Sequence, residues 1–433
     1  MNNFQIGLSI TFVVAFVVAV AIFAGIIKVP TKASKAVGGA EGQVVMWGTL
    51  DGGVLAKPLE DFNFKKPYNV KYVKKNIETL DQELLEALAS GKGPDLVLMP
   101  SELLWHFKDK AYMIPYTGYS ERSYLDTFIP EANMYLFKDG ILALPFRIDP
   151  LVLYYNRDYF TNAGIVNYPR TWTDVITDVP LLTNKDANGN IIRSAIALGT
   201  FGNTTHAKAI MSTLLFQAGN PIMSYDRNED TINPTFKGNF SGKASEDALA
   251  FYQSFANPAV SNYSWNAVFP NARDAFVAGD VAMYIGYASE LTSLHDKNPN
   301  LNFDVVTIPQ TAEGDTKATY GNLEGLMVMN SSRNLTTAYV VAALLTGKDF
   351  MNTIIPNLLL PPVRRDLLAE RPTDPALLVF YTAALNARGW IDPNTKETDA
   401  IFAKMLQDIT TGIATPAQVL TDAQATLSLY LGK

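Results

Sequence analysis

The chain contains no cysteine. That excludes disulfides, thiolate metal sites and a thiol nucleophile, and it removes the lipidated cysteine that tethers many exported bacterial proteins. Histidine is scarce: His106, His206 and His295 are the only three, and none shares a metal-ligand spacing with another. Basic residues are outnumbered, 35 Lys and Arg against 42 Asp and Glu, for a net charge of -7. A nucleic-acid partner, which needs clustered positive charge, is therefore not expected. Gly48, Gly52 and Gly53 lack the Gly-Lys-Thr or Gly-Lys-Ser ending of a phosphate loop, and no G-x-S-x-G elbow marks an esterase. Asn184 to Asn190 has oxygen ligands at alternate positions like a calcium loop, but its twelfth position is Ala195 instead of Glu, so it reads as an Asn-Gly turn. No cofactor and no metal are expected.

What is present begins with Ile6 to Ile27, an uncharged run of mostly Val, Ile, Ala and Phe. As a helix it would span roughly 33 Å, matching the ~30 Å hydrocarbon core of a bilayer, and it exceeds the apolar region of a signal peptide. It reads as an uncleaved transmembrane anchor, although Ser34-Lys35-Ala36 has the look of a cleavage site. Lys28, Lys32 and Lys35 follow it, which by the positive-inside rule would keep the body in the cytoplasm; long domains can cross regardless of that rule. Residues 28–42, with Pro30 and three glycines, form a linker of roughly 20 Å reach.

The body then alternates strand and helix. Val44 to Trp47, Asn69 to Val73 and Asp95 to Met99 read as strands, and Leu80, Leu84, Leu85 and Leu88 recur at helical spacing before Gly91 and Gly93. After the loop Ala143 to Pro150, Leu151 to Tyr155 is a β-branched and aromatic strand. Asn156-Arg157-Asp158 starts a helix that Gly164 ends, and Thr171-Trp172-Thr173-Asp174 opens another. The architecture is α/β, with 433 residues and 48% hydrophobic composition sufficient for more than one core.

Strand, short helix, Gly, Pro and Thr-Trp in Leu151 to Trp172 resemble the first interlobe crossover of the extracytoplasmic solute-binding proteins of ABC importers, in their carbohydrate-binding, maltose-binding-protein-like group. Four further stretches are similar in the family's order: VVMWGTLDGG from Val44, LLEALASGKGPDLVLMP from Leu84, FVAGDVAMYIGYASEL from Phe276, and ITTGIATPAQVLTDAQATL from Ile409. The resemblance, over about residues 43 to 430, implies a two-lobed periplasmic-binding-protein-like fold of type II behind the N-terminal transmembrane helix. Lobe 1 would hold residues 43–147 and 310–353, lobe 2 residues 148–309 and 354–433. Chain crossings are expected near Pro145 to Pro150, Thr307 to Gln310 and Asn352 to Pro356.

A sugar offers hydroxyls and flat apolar faces, so its site needs stacking aromatics and bidentate carboxylates or amides. The resemblance points to Trp47 and Asp51 on the first loop, Asp149 at the first hinge, Tyr287 and Glu290 after the Ala-Met strand, Asn322 and Glu324 on a later loop, and Trp390. Each has a plainer reading. Trp47 plugs a strand end, Asp51 is the Asp of an Asp-Gly turn, Asp149 braces the hinge, Glu290 is a helix-start charge, and Trp390 is packing. The implied function is capture of a small-molecule ligand, a sugar or oligosaccharide, by hinge closure of a monomer, without catalysis, and its delivery to ABC permease subunits from an extracytoplasmic, membrane-anchored body. The alternatives are a cleft glycoside hydrolase with Asp51 and Asp149 as its carboxylates, or a receptor serving a sensor.

Overall fold

The computed structural model describes residues 42–237, 242–312 and 316–432. The expected membrane anchor at Ile6 to Ile27 and nearly all of the linker lie outside the described residues. Among the described residues no helix is long and apolar enough to cross a membrane.

The strands among these residues are, in chain order, β1 (Gln43–Gly48), β2 (Asn69–Lys74), β3 (Leu96–Pro100), β4 (Leu136–Phe137), β5 (Gly140–Ile141), β6 (Leu144–Asn156), β7 (Asn184–Lys185), β8 (Ile191–Ile196), β9 (Met223–Asp226), β10 (Thr231–Pro234), β11 (Val281–Tyr287), β12 (Phe303–Thr307), β13 (Thr319–Val328) and β14 (Ala387–Arg388). Ten of them form one sheet in the order β2-β1-β3-β13-β6-β11-β8-β7, with β12 also on β6 and β14 on β13. The remaining four form the hairpins β4-β5 and β9-β10.

Local chemistry places most of these elements where the sequence suggests. Asn156 accepts the Tyr159 N–H to start the helix Arg157–Asn162, and Gly164 follows it at φ +70°. Thr171 and Asp174 cap each other at the start of the helix Trp172–Leu182, as the Thr-x-x-Asp spacing requires. Gly279 closes the helix Ala272–Ala278 at φ +85°, a left-handed position that costs a residue without Cβ little.

The stretch expected to be a loop, Ala143 to Pro150, is a correction. Strand β6 already begins at Leu144 and runs 13 residues through both Pro145 and Pro150. Pro145 lies at a register shift, where β13 passes from Glu324 opposite Arg147 to Gly325 opposite Pro145. Pro150 lies where β6 changes partners, since Gly321 faces Pro150 on β13 and Tyr287 faces Leu151 on β11. A bulge and a change of partner are the positions at which a strand tolerates a missing N–H.

Because β6 is so long, it serves two cores. Its first half sends Leu144, Phe146 and Ile148 into a core built with Val44, Leu96 to Met99, Leu323 and Leu326. Its second half, flanked by β11 and β12, is covered on both faces: Leu151 and Leu153 enter one cluster with Trp172, Ile196 and Trp390, while Val152 and Tyr154 enter another with Trp265, Phe276 and Tyr284. Each such buried aliphatic side chain contributes about 1.5–3 kcal/mol.

Strand β13 makes the second passage, with Tyr320 in the second core and Leu323 in the first. That is a correction to the crossing expected at Thr307 to Gln310, where β12 ends but Ile308 and Ala318 still pack in the second core. Near the crossing expected at Asn352 to Pro356, the helix Lys348–Leu358 runs through Pro356 with Ile354 still in the first core, and Leu360 then packs in the cluster of Val152 and Tyr154, as do Phe380 and Ala383 of the helix Pro375–Leu385.

Candidate functional site

Strands β6 and β13 are antiparallel, with Asn322 opposite Asp149 and Glu324 opposite Arg147. Side chains two apart on a strand share a face, so these four polar groups form a rectangle on one side of the sheet, while Ile148 and Leu323 point into the core on the other. The rectangle spans the place where both strands pass between cores.

Its polar groups are not fully used. Arg147 donates to Glu324 at 2.5 Å, yet Arg147 Nε, Asn322 Oδ1 and Glu324 Oε2 are buried without a partner. These are three of the seven such atoms among the described residues, so unmet hydrogen-bonding capacity is concentrated here. Asp149, only 7% exposed, accepts the Ser289 N–H at 3.0 Å. Burial pushes its carboxyl up to about 6, against the pull of the Arg147 charge and of Ser289.

The surrounding shell comes from both halves. On the first-core side, burial and then the Glu324 carboxylate hold the Tyr72 hydroxyl well above its ordinary value; that hydroxyl donates to the Leu50 carbonyl at 2.9 Å. Glu102, just beyond β3, accepts from the Tyr320 hydroxyl at 2.7 Å. On the second-core side, Tyr287 ends β11, and the His206 ring lies against it with centroids 4.5 Å apart. The donors and acceptors thus gather in the middle of β6 and β13, beside the ends of β3 and β11, where the sheet passes between cores.

The comparisons with known proteins bear on this arrangement. The family described as bacterial extracellular solute-binding protein matches residues 48–352. The chain belongs to that family. It is accordingly a substrate-binding protein with an extracytoplasmic body, and its fold is the α/β, two-lobed, periplasmic-binding-protein-like one. A protein of Brucella abortus (strain 2308) named as a binding protein is 25% identical over 365 residues, 82% of this chain and 84% of that protein.

Solved structures with the same fold include an ABC transporter solute-binding protein of Thermotoga lettingae bound with α-D-tagatose, at 21% identity and TM-score 0.67 over 90% of this chain and 100% of that one. The GacH receptor of Streptomyces glaucescens, solved unliganded and with acarbose, aligns at 18% identity and TM-score 0.69, covering 91% and 100%. The cyclic α-maltosyl-1,6-maltose binding protein of Arthrobacter globiformis aligns at 16% and 0.73, covering 90% and 98%.

Within the binding protein, the residues singled out from sequence fall into three groups. Asp149, Asn322 and Glu324 stand together in the rectangle. Tyr287 and Glu290 adjoin it through Ser289, but Glu290 is already committed: it accepts from the Tyr284 hydroxyl and the Tyr287 N–H and pairs with His206 Nε2 at 2.6 Å. Burial would raise the Glu290 carboxyl, and these partners outweigh it and hold it below the usual range.

Trp47, at the tip of β1, packs partly buried on the first core with Lys75 Nζ 3.7 Å above its ring. Asp51 is exposed, caps the helix Gly52–Lys65 through Gly53 N–H and pairs with Lys74 at 2.8 Å. Both bonds, the Lys74 one foremost, hold its carboxyl below the usual value. Trp390 stands apart: it is 5% exposed, its indole N–H donates to Ser212, and it stacks on Phe402 in the second core.

Arg147, Tyr72, Glu102 and His206 escaped the sequence reading. For Arg147 a signal exists, because Arg147-x-Asp149 and Asn322-x-Glu324 are both polar pairs at strand period inside apolar runs.

Proposed function

We propose that the binding protein captures a carbohydrate over the rectangle of Arg147, Asp149, Asn322 and Glu324, and that its two lobes close about β6 and β13 to enclose it. The observation that carries this reading is the concentration of buried, unpartnered donor and acceptor atoms at the passage between cores. Hydroxyl groups both donate and accept, so a polyhydroxylated ligand could satisfy the two acceptors and the guanidinium Nε together. Trp47 and Tyr287 would supply aromatic faces on opposite sides, as sugars require.

The lobes would divide at Asp149-Pro150 and Gly321-Asn322, with the closed form delivering its cargo to the permease of an ABC importer. Ile6 to Ile27 would hold the body at the outer face of the membrane. Tagatose, acarbose and maltosyl ligands in structurally similar proteins support the carbohydrate class.

A thermal-shift screen across sugars, polyols, oligosaccharides and peptides tests the ligand class, since a ligand at 100 times its dissociation constant stabilises by about 2.7 kcal/mol. Stabilisation by peptides alone would overturn it. Protease added to intact cells tests the topology: the body should be removed, and its protection until lysis would count against an external body.

A further inference from the structure

The hairpin of β9 and β10 is rooted in the second core through Met223 and Ile232. Its outer part is bonded to the first. Arg227 lays two guanidinium nitrogens on the two oxygens of Glu121, at 2.7 and 2.9 Å. Asp230 receives Lys108 Nζ at 2.9 and 3.0 Å and the Tyr225 hydroxyl at 2.6 Å. That same hydroxyl accepts the Lys138 backbone N–H at 2.9 Å, and Lys138 Nζ reaches the Asn228 carbonyl at 3.0 Å.

Beneath these bonds the Tyr225 ring meets Phe137 edge-on at 4.9 Å, and Phe137 tilts against Trp105 at 5.7 Å. Lys108 Nζ lies over the Trp105 and Phe137 rings. Tyr225 and Trp105 each pack against both cores. The backbone is shaped for this reach, with Ile222 at φ +65° and Asp230 at φ +52°, conformations that non-glycine residues hold only when their surroundings over-determine them. The hairpin shares no hydrogen-bonded strand with the ten-stranded sheet, so these contacts can release without disturbing it.

We propose that this hairpin is a strap that fastens the two lobes across the cleft before ligand arrives, biasing the empty protein towards closure and making ligand exchange wait on its release. The inference rests on the reading of two lobes that move about β6 and β13, and it is independent of what the ligand is. Its ion pairs are partly exposed, with side chains 47% and 35% accessible for Arg227 and Glu121, so salt should loosen it.

The absence of native cysteine allows a direct test. Phe64→Cys and Val268→Cys, at 90% and 92% exposed positions on opposite cores, would carry spin labels in the full-length chain with no ligand added. Pulsed dipolar spectroscopy at low salt should show a dominant short distance. Arg227→Ala with Asp230→Ala should lower the closed-to-open ratio by roughly threefold for each ion pair lost. About 1 M salt should do the same to the parent, and Glu121→Arg with Arg227→Glu should restore the short distance. Identical distributions in the parent, the variants and high salt would overturn the strap. If a variant does not fold, the salt series on the parent decides alone. Because no ligand is present, a carbohydrate reading that fails leaves this result interpretable.

Discussion

Arg147 and Glu324 face each other across β6 and β13 as register partners and as a buried ion pair, 2.5 Å between Nη2 and Oε1, on the strands that join the two cores. The pair lies on the polar face of these two strands while leaving one atom on each partner unused. A buried pair of this kind adds little net stability over apolar residues but costs a great deal to break.

Arg147→Met alone should therefore destabilise the fold by about 3–5 kcal/mol, because Glu324 is left charged and unpaired. Arg147→Met with Glu324→Leu should recover most of that loss while leaving ligand affinity abolished. Denaturant unfolding beside calorimetric titration measures both. Equal destabilisation in single and double variants would show that the two residues are not coupled.

Asp149 should act on stability and on binding in opposite directions. Its folded pKa of about 6 lies above the ordinary value of 3.8, so the folded state holds the proton more tightly. Its stabilising contribution is thus complete below about pH 4 and is lost as pH rises through about 6, a change on the order of 3 kcal/mol. Asp149→Asn should remove that slope and stabilise the empty protein at pH 7. The same change should weaken ligand binding by about 1.5–3 kcal/mol, the worth of a hydrogen bond to a charged acceptor. Unfolding midpoints at both pH values, with titration at pH 7, check the two signs.

Glu131, 4% exposed and with Oε1 unpartnered, is a second buried acid, its carboxyl set against Gly389. Burial, only partly offset by the Arg388 charge, pushes its carboxyl up to about 8. Stability should fall as pH rises from about 4.5 through about 8, and Glu131→Gln should flatten that fall by an amount on the order of 5 kcal/mol. Thermal melts between pH 5 and 9, taken as a rough range, follow the difference. Parallel curves for parent and variant would place the proton uptake elsewhere.

Trp390 should behave as a core residue. Trp390→Ala should destabilise by about 3–5 kcal/mol through the cavity it leaves beside Phe402, with affinity unchanged once the fold is held by low temperature. Tyr287→Ala should do the reverse, weakening binding before stability. Isothermal titration paired with chemical unfolding separates them, and a selective loss of affinity in the Trp390 variant would bring that residue back to the ligand.

Sequence by itself determined the elements whose cause is local. Thr171 with Asp174, Asn156 and Gly279 sit at helix ends because a side-chain oxygen or a missing Cβ meets a need within four residues, and such needs are written in the spacing. The alternation that makes the chain α/β, and the stretches that resemble the solute-binding family, are legible for the same reason. Tertiary structure decided what depends on partners far along the chain. Pro145 and Pro150 read as a loop until β13 supplies the bulge and β11 the change of partner that let a 13-residue strand pass through them. Asp51, Glu290 and Trp390 look equally fit for a ligand as residue types; Lys74, His206 and Ser212 take up their polar atoms, at separations of 23, 84 and 178 residues. Arg147, conversely, gains its place only because register sets it against Glu324, 177 residues away. Spacing encodes a local bond, whereas the choice among acceptors for a distant donor is made by the packing of strands whose register no single segment contains.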